Sequence, residues 1–178
     1  MGKTTQTPGA SGARTHRVVL CALMAALSCA ATMVIRVPSP TGGYLNLGDA
    51  AVLLGAFLLG PWYGALAGGI GSAMADALSG YPIYVPATLV IKAAMAVTAG
   101  LMLRALHGRG TPLAALAGEV PMLVGYWLFD ALLLGSFAGS AAGIPGNLVQ
   151  AAFGASAAVA LTAALRKSSY FHGSFSLL

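Results

Sequence analysis

The sequence predicts an all-α integral membrane protein, a compact bundle of six transmembrane helices with both termini cytoplasmic. Three observations carry that expectation. Charged residues make up 7% of the chain and apolar ones 58%, whereas soluble domains carry about 25% charged residues. The apolar residues gather into runs long enough to cross a bilayer, which takes about 20 helical residues. The acidic residues Asp49, Asp76, Glu119 and Asp130, with Lys92, lie inside or at the edges of those runs, while the other basic residues lie between them or in the tails. A mean hydropathy of +0.84 agrees. At 178 residues, the chain suits one membrane domain without an added soluble enzyme domain.

Residues 1–15 are polar and rich in Gly, Ser and Thr, which predicts a flexible cytoplasmic tail. They do not read as a signal peptide, because the apolar run that follows is too long and lacks a cleavage site. The six-helix domain is expected over 16–167 and a cytoplasmic C-terminal tail over 168–178. The first span covers 17–35. A polar connection over 36–48 carries Pro38, Pro40, Gly42 and Gly43. The stretch 49–78 is too long for one span and short for two. Gly60-Pro61 divides it into a short second helix and a third, since proline suits the first turn of a new helix. The fourth helix is expected over 86–106. The fifth covers 112–137 with a kink near Pro121, and the sixth covers 145–165.

Charge supports that division. With six spans, Lys3, Arg14, Arg17, Arg104, Arg109, Arg166 and Lys167 share one side, and the opposite loops carry only Arg36. Five spans would scatter these charges over both faces, against the positive-inside rule.

Alternating direction then gives each polar residue a depth. Asn46 and Asp49 fall at the outer start of helix two, and Asp76 near the outer end of helix three. Tyr81 and Tyr84 sit in the outer loop that follows. Thr88 and Lys92 occupy the outer half of helix four, and Tyr126, Trp127 and Asp130 that of helix five. Asn147 and Gln150 begin helix six. Only Glu119 falls in an inner half. A charge at the centre of a bilayer costs about 2.5–3.5 kcal/mol on insertion scales, so it faces protein, water or ligand. The shared depth is what an outward-facing cavity for a small polar molecule requires.

Periodicity agrees. Gly60, Gly64, Gly68, Ser72 and Asp76 follow at four-residue steps, a small-residue stripe that lets helices approach closely. Glu119 and Asp130 are about three turns apart and share a face with Tyr126. Each residue also has a plainer reading. Asp49 is placed to cap helix two, and Asn147 to cap helix six. Lys92 either meets ligand or pairs with Asp76 or Asp130. Trp127 and Tyr84 suit an interfacial aromatic belt. Cys21 and Cys29 read as small packing residues. No metal-ligand cluster or cofactor motif is present. His16, His107 and His172 fall in cytoplasmic loops or tails, away from the outer carboxylates, which argues against an enzyme.

The run Tyr44-Leu45-Asn46-Leu47-Gly48-Asp49 is followed by Leu59-Gly60-Pro61 with Gly64, and by Gly68-Gly69-Ile70-Gly71 with Asp76. Gly80-Tyr81, Pro86, Thr88 and Ile91-Lys92 come next. This constellation resembles the substrate-binding S component of energy-coupling factor (ECF) transporters, most closely the riboflavin-type branch. The resemblance covers about 17–165. It implies capture of a vitamin or vitamin precursor from outside, then docking on a shared module of one transmembrane coupling subunit and two ATPases. The family's Ala-x-x-x-Ala contact motif matches Ala22, Ala26 and Ala30. No Gly-x-x-x-x-Gly-Lys-Ser/Thr sequence is present, so ATP energy must come from partners.

On this reading Asp76 and Asp130 accept hydrogen bonds from a cationic or NH-rich ring, Lys92 meets a carbonyl, phosphate or carboxylate, and Tyr126 and Trp127 stack on a flat heterocycle. Asn46, Asp49, Tyr84, Thr88, Asn147 and Gln150 complete the expected site, and the 36–48 connection lies over it as a gate. Riboflavin, a pyrimidine or pyridine vitamin precursor and a cobalamin fragment are all compatible. The alternative is an ion-coupled secondary carrier or small channel that uses Glu119, Asp130 or Lys92 and needs no ATPase partner.

Overall fold

The computed structural model describes residues 10–167. Six long helices run through them: α1 (Ala10–Val34), α2 (Gly48–Leu59), α3 (Pro61–Leu78), α4 (Val85–Ala105), α5 (Thr111–Leu134) and α7 (Ile144–Arg166). A single turn of helix, α6 (Phe137–Ser140), precedes α7. The terminal segments 1–9 and 168–178, with Lys3 and His172, lie outside the described residues. Residues 10–15, expected as tail, form the opening turns of α1.

Local chemistry sets the boundaries. Gly60 adopts a φ of +84°, and Pro61 starts α3 immediately after it; a left-handed residue followed by proline ends one helix and opens the next. Helix α5 continues through Pro121 but stops at Leu134, short of the expected 137. Gly135 takes the left-handed conformation there, and the Ser136 hydroxyl then accepts from Gly139 N to cap α6. The 36–48 connection, expected as an irregular segment, contains an antiparallel hairpin. Its strands are β1 (Arg36–Pro38) and β2 (Tyr44–Asn46), with Val37 opposite Leu45.

Helix α2 lies at the centre, packed by α1, α3, α4 and α7, and α5 closes the ring between α4 and α7. Almost every residue of α2 is buried, as fits a helix that is apolar all round. Val52, Leu53 and Phe57 meet Met95, Leu103 and Met122 in the main core. The outward faces expose Leu23, Val90, Leu132 and Val149, apolar surface that belongs against lipid. Among the described residues, four stretches are long and apolar enough to cross a membrane: Arg14–Val34, Val85–Ala105, Thr111–Leu134 and Phe137–Arg166. The molecule is therefore a multi-pass membrane bundle. With 12 residues, α2 reaches only about 18 Å, against a hydrocarbon core of about 30 Å.

The small-residue stripe of α3 faces α2. A Cβ on Gly64 would lie 2.6 Å from Ala56 Cα, and one on Gly68 would lie 2.8 Å from a Val52 methyl. Gly64→Leu should therefore lower thermal stability in detergent by about 1–3 kcal/mol, the usual cost of overpacking. Leu132→Ala, at a lipid-facing side chain, should leave the unfolding temperature nearly unchanged.

Candidate functional site

Five elements meet at one end of the bundle and enclose a polar cavity. The hairpin supplies Ser39, Thr41, Tyr44 and Asn46, and the end of α3 supplies Asp76. Tyr84 and Thr88 come from the start of α4, Tyr126 and Asp130 from α5, and Asn147 and Gln150 from the start of α7.

Two tyrosines tie the carboxylates to the wall. The Tyr44 hydroxyl donates to Asp76 Oδ1 at 2.6 Å, and Tyr84 donates to Asp130 Oδ1 at 2.9 Å. Tyr84 also reaches the Thr41 carbonyl, at 3.4 Å. Burial first, and then the adjacent carboxylate, push both phenols well above the ordinary tyrosine range, so each stays a donor. Tyr44 and Tyr81 stack with ring centroids 4.6 Å apart, and Tyr84 meets Phe129 edge-on at 5.2 Å. Thr88 and Tyr126 share a hydrogen bond of 3.0 Å.

Behind this wall lies a charged chain sealed from solvent. Lys92 pairs with Asp49 Oδ1, and both side chains are buried. Gln150 Nε2 donates to Asp49 Oδ2 at 2.8 Å, and Gln150 Oε1 accepts from the Asn46 backbone N–H at 2.8 Å. The ammonium group lies 5.4 Å from the Tyr126 ring centre. Lys92 sits seven residues into α4, about 10 Å along its axis. The N-terminal end of the short helix α2 thus brings Asp49 to the depth of Lys92. The sequence had offered Asp76 or Asp130 as protein partners for Lys92, and the partner is Asp49. Asp49 is also more than a cap: no side-chain capping hydrogen bond is made at α2, and Asn46 Oδ1 instead accepts from Gly48 N. Asn147 likewise makes no capping bond at α7.

Of the eleven residues expected at the site, eight line the cavity: Asn46, Asp76, Tyr84, Thr88, Tyr126, Asp130, Asn147 and Gln150. Asp49 and Lys92 stand behind Gln150 and Tyr126. Trp127 is outside the lining; its indole N–H points to the Phe137 carbonyl at 3.4 Å and its ring packs on Phe137. One residue beyond Tyr126 on a helix is a rotation of about 100°, which turns Trp127 away from the cavity. Ser39 and Thr41 were not among the expected site residues, and Tyr44 was expected only as part of the gating connection over the site. The signal for them was Pro40-Thr41-Gly42-Gly43, a turn sequence that folds the connection back on itself. Glu119 is buried, and neither of its oxygens has a hydrogen-bond partner. Gly154 packs against it and Asp49 together, since a Cβ there would lie 2.6 Å from Asp49 Cβ and 3.0 Å from Glu119 Oε1.

On another face, Ala22, Ala26 and Ala30 are exposed along an apolar groove between α1 and α3. Cys21, Tyr63, Ile70 and Met74 share that groove. Both cysteines are free.

The structure is thus a membrane bundle with a polar, tyrosine-lined cavity at one end. Residues 12–167 match the family described as "ECF-type riboflavin transporter, S component". The chain is also 39% identical over 125 residues to a Pyrococcus woesei protein named "Uncharacterized protein in gap 3'region", a match that covers 69% of this chain and 83% of that one. This chain belongs to the S-component family: it is the substrate-binding subunit of an ECF-type importer, a transport protein and not an enzyme.

The geometry makes Lys92 a partner of Asp49. Lys92→Met should therefore cost about 3–5 kcal/mol of stability, because it leaves a buried carboxylate unpaired. The double variant Lys92→Met/Asp49→Asn should recover most of that loss and keep an acceptor for Gln150. Thermal unfolding in detergent reads both.

Proposed function

We propose that this chain captures a vitamin or vitamin precursor from the outer side and delivers it by docking on an ATP-driven coupling module. The observation that carries the proposal is the convergence of eight separately placed polar residues on one cavity at one end of the bundle. In this proposal the chain crosses the membrane six times with both termini cytoplasmic, and α2 together with the hairpin fills one crossing. Arg166 donates to the Gly108 carbonyl at 2.6 Å, so the end of α7 and the α4–α5 connection lie together. That end gathers Arg104, Arg109, Arg166 and Lys167, while Arg36 alone lies on the hairpin, a bias that favours the cavity facing outward.

Ligand is held by the cavity-lining residues, with the hairpin as its gate. Tyr44 bonds Asp76, and Tyr84 holds Thr41 together with Asp130. An entering ligand competes for these same carboxylates. Lifting the hairpin breaks the bonds of Tyr44 to Asp76 and of Tyr84 to Thr41, so capture and closure are coupled. Asp49 and Lys92 act from behind by holding Gln150 in place. The family's description names riboflavin; a pyrimidine or pyridine precursor and a cobalamin fragment are the other candidates.

Membership in the family implies a transmembrane coupling subunit and a pair of ATPases as partners. The groove of Ala22, Ala26 and Ala30 is the docking face in this proposal, since small side chains let a partner helix approach closely. Ala26→Trp should leave ligand affinity within about twofold and abolish uptake by cells that carry the coupling module. Loss of binding as well would move the alanines out of the docking role. Uptake that persists without any ATPase partner would favour the ion-coupled carrier.

A further inference from the structure

The cavity wall has two acidic side chains, Asp76 and Asp130, and no basic one. Its remaining polar side chains are hydroxyls and amides. The nearest candidate for a counter-charge is Lys92, whose ammonium is committed to Asp49 behind the wall. Gln150 is committed too, with its amide nitrogen on Asp49 and its oxygen on Asn46 N. Each cavity carboxylate takes one tyrosine hydroxyl, on Oδ1. A carboxylate offers about four lone-pair positions, so even with Thr88 beside Asp76 as well as its tyrosine, each carboxylate has room for a further donor. A ligand entering here meets negative charge, acceptors and three tyrosine rings. A phosphate or carboxylate on it would face two carboxylates on the wall, with Lys92 behind Tyr126 and already paired to Asp49.

We propose that this cavity selects a flat heterocycle that carries a positive charge or exocyclic amino groups, bound through Asp76 and Asp130, and excludes phosphorylated or carboxylated forms. The inference rests on the capture role and narrows it. It also departs from the flavin in the family's description, because riboflavin is uncharged and offers a single ring N–H. A cation placed between the two carboxylates gains on both sides, since opposite charges close together in a partly desolvated site attract strongly. Tyr126 and Tyr84 add ring faces and edges for the heterocycle.

The test uses the full chain in mild detergent and titrates three classes of probe by calorimetry. Thiamine, aminohydroxymethylpyrimidine and pyridoxamine represent cationic and amino-bearing rings. Riboflavin represents the neutral class, and flavin mononucleotide and pantothenate the anionic one. At least one probe of the first class should bind about tenfold or more tightly than riboflavin, and the anions should not bind. Asp130→Asn keeps an acceptor for Tyr84 and should weaken that probe about tenfold or more; Asp76→Asn is the second variant, and both are checked for an unchanged unfolding temperature. Tighter binding of riboflavin, any binding of the anions, no binding in the first class, or unchanged affinity in both folded variants would overturn the proposal. Co-purification with the coupling module, measured on the same preparations, is separate: assembly that persists leaves the S-component role standing when the charge preference fails, and loss of assembly removes that role.

Discussion

One buried ion pair organises this protein. Lys92 and Asp49 are both withdrawn from solvent, and charges so placed are tolerated only when paired and further hydrogen-bonded. Asp49 meets that demand through two partners, the ammonium of α4 and the amide of Gln150 on α7. Gln150 then passes the constraint to the hairpin by accepting from Asn46 N. Three helices and the hairpin are thereby fixed relative to one another by a single chain of polar contacts. Gly154 makes room for it, because any side chain there would run into Asp49.

The pair also determines what the cavity presents. A lysine free to face the cavity would neutralise much of the wall. Committed to Asp49, it leaves Asp76 and Asp130 as the acidic groups on the cavity wall. These carboxylates are held by phenols on the hairpin and at the head of α4, so in the proposed capture role the groups that bind ligand also fasten the gate. Because Asp49 opens the short helix α2, that helix's polar start lies beside Lys92 of α4. That is how an aspartate eight positions before Phe57 in the core reaches a lysine on another helix.

Much of this arrangement was legible in the sequence, for physical reasons that differ by element. Charge is so costly in hydrocarbon that the few acidic residues had to mark polar interior surface, and Asp76 and Asp130 do line the cavity. Gly60-Pro61 divided a 30-residue apolar stretch correctly because both residues act locally. Pairing is not local. Nothing in the spacing of Asp49, Asp76, Asp130 and Lys92 told which carboxylate would meet the lysine, since that depends on how far α2 penetrates. Helical rotation separated Tyr126 from its neighbour Trp127 by a single residue, a distinction that depth alone does not make. The connection was expected over the site as a gate, but the lining role of Ser39 and Thr41 was hidden because it arises through tertiary folding of a connection whose strands are three residues each.

The central claim is capture of one small donor-bearing heterocycle in a cavity whose lysine is committed elsewhere. It is tested most directly by mass spectrometry of the small molecules released from the protein purified in mild detergent from cells that express it. The account predicts one vitamin-like molecule per chain, with a cationic or amino-bearing ring and no phosphate or carboxylate. A stoichiometric phosphorylated or carboxylated ligand, or phospholipid alone, would contradict it.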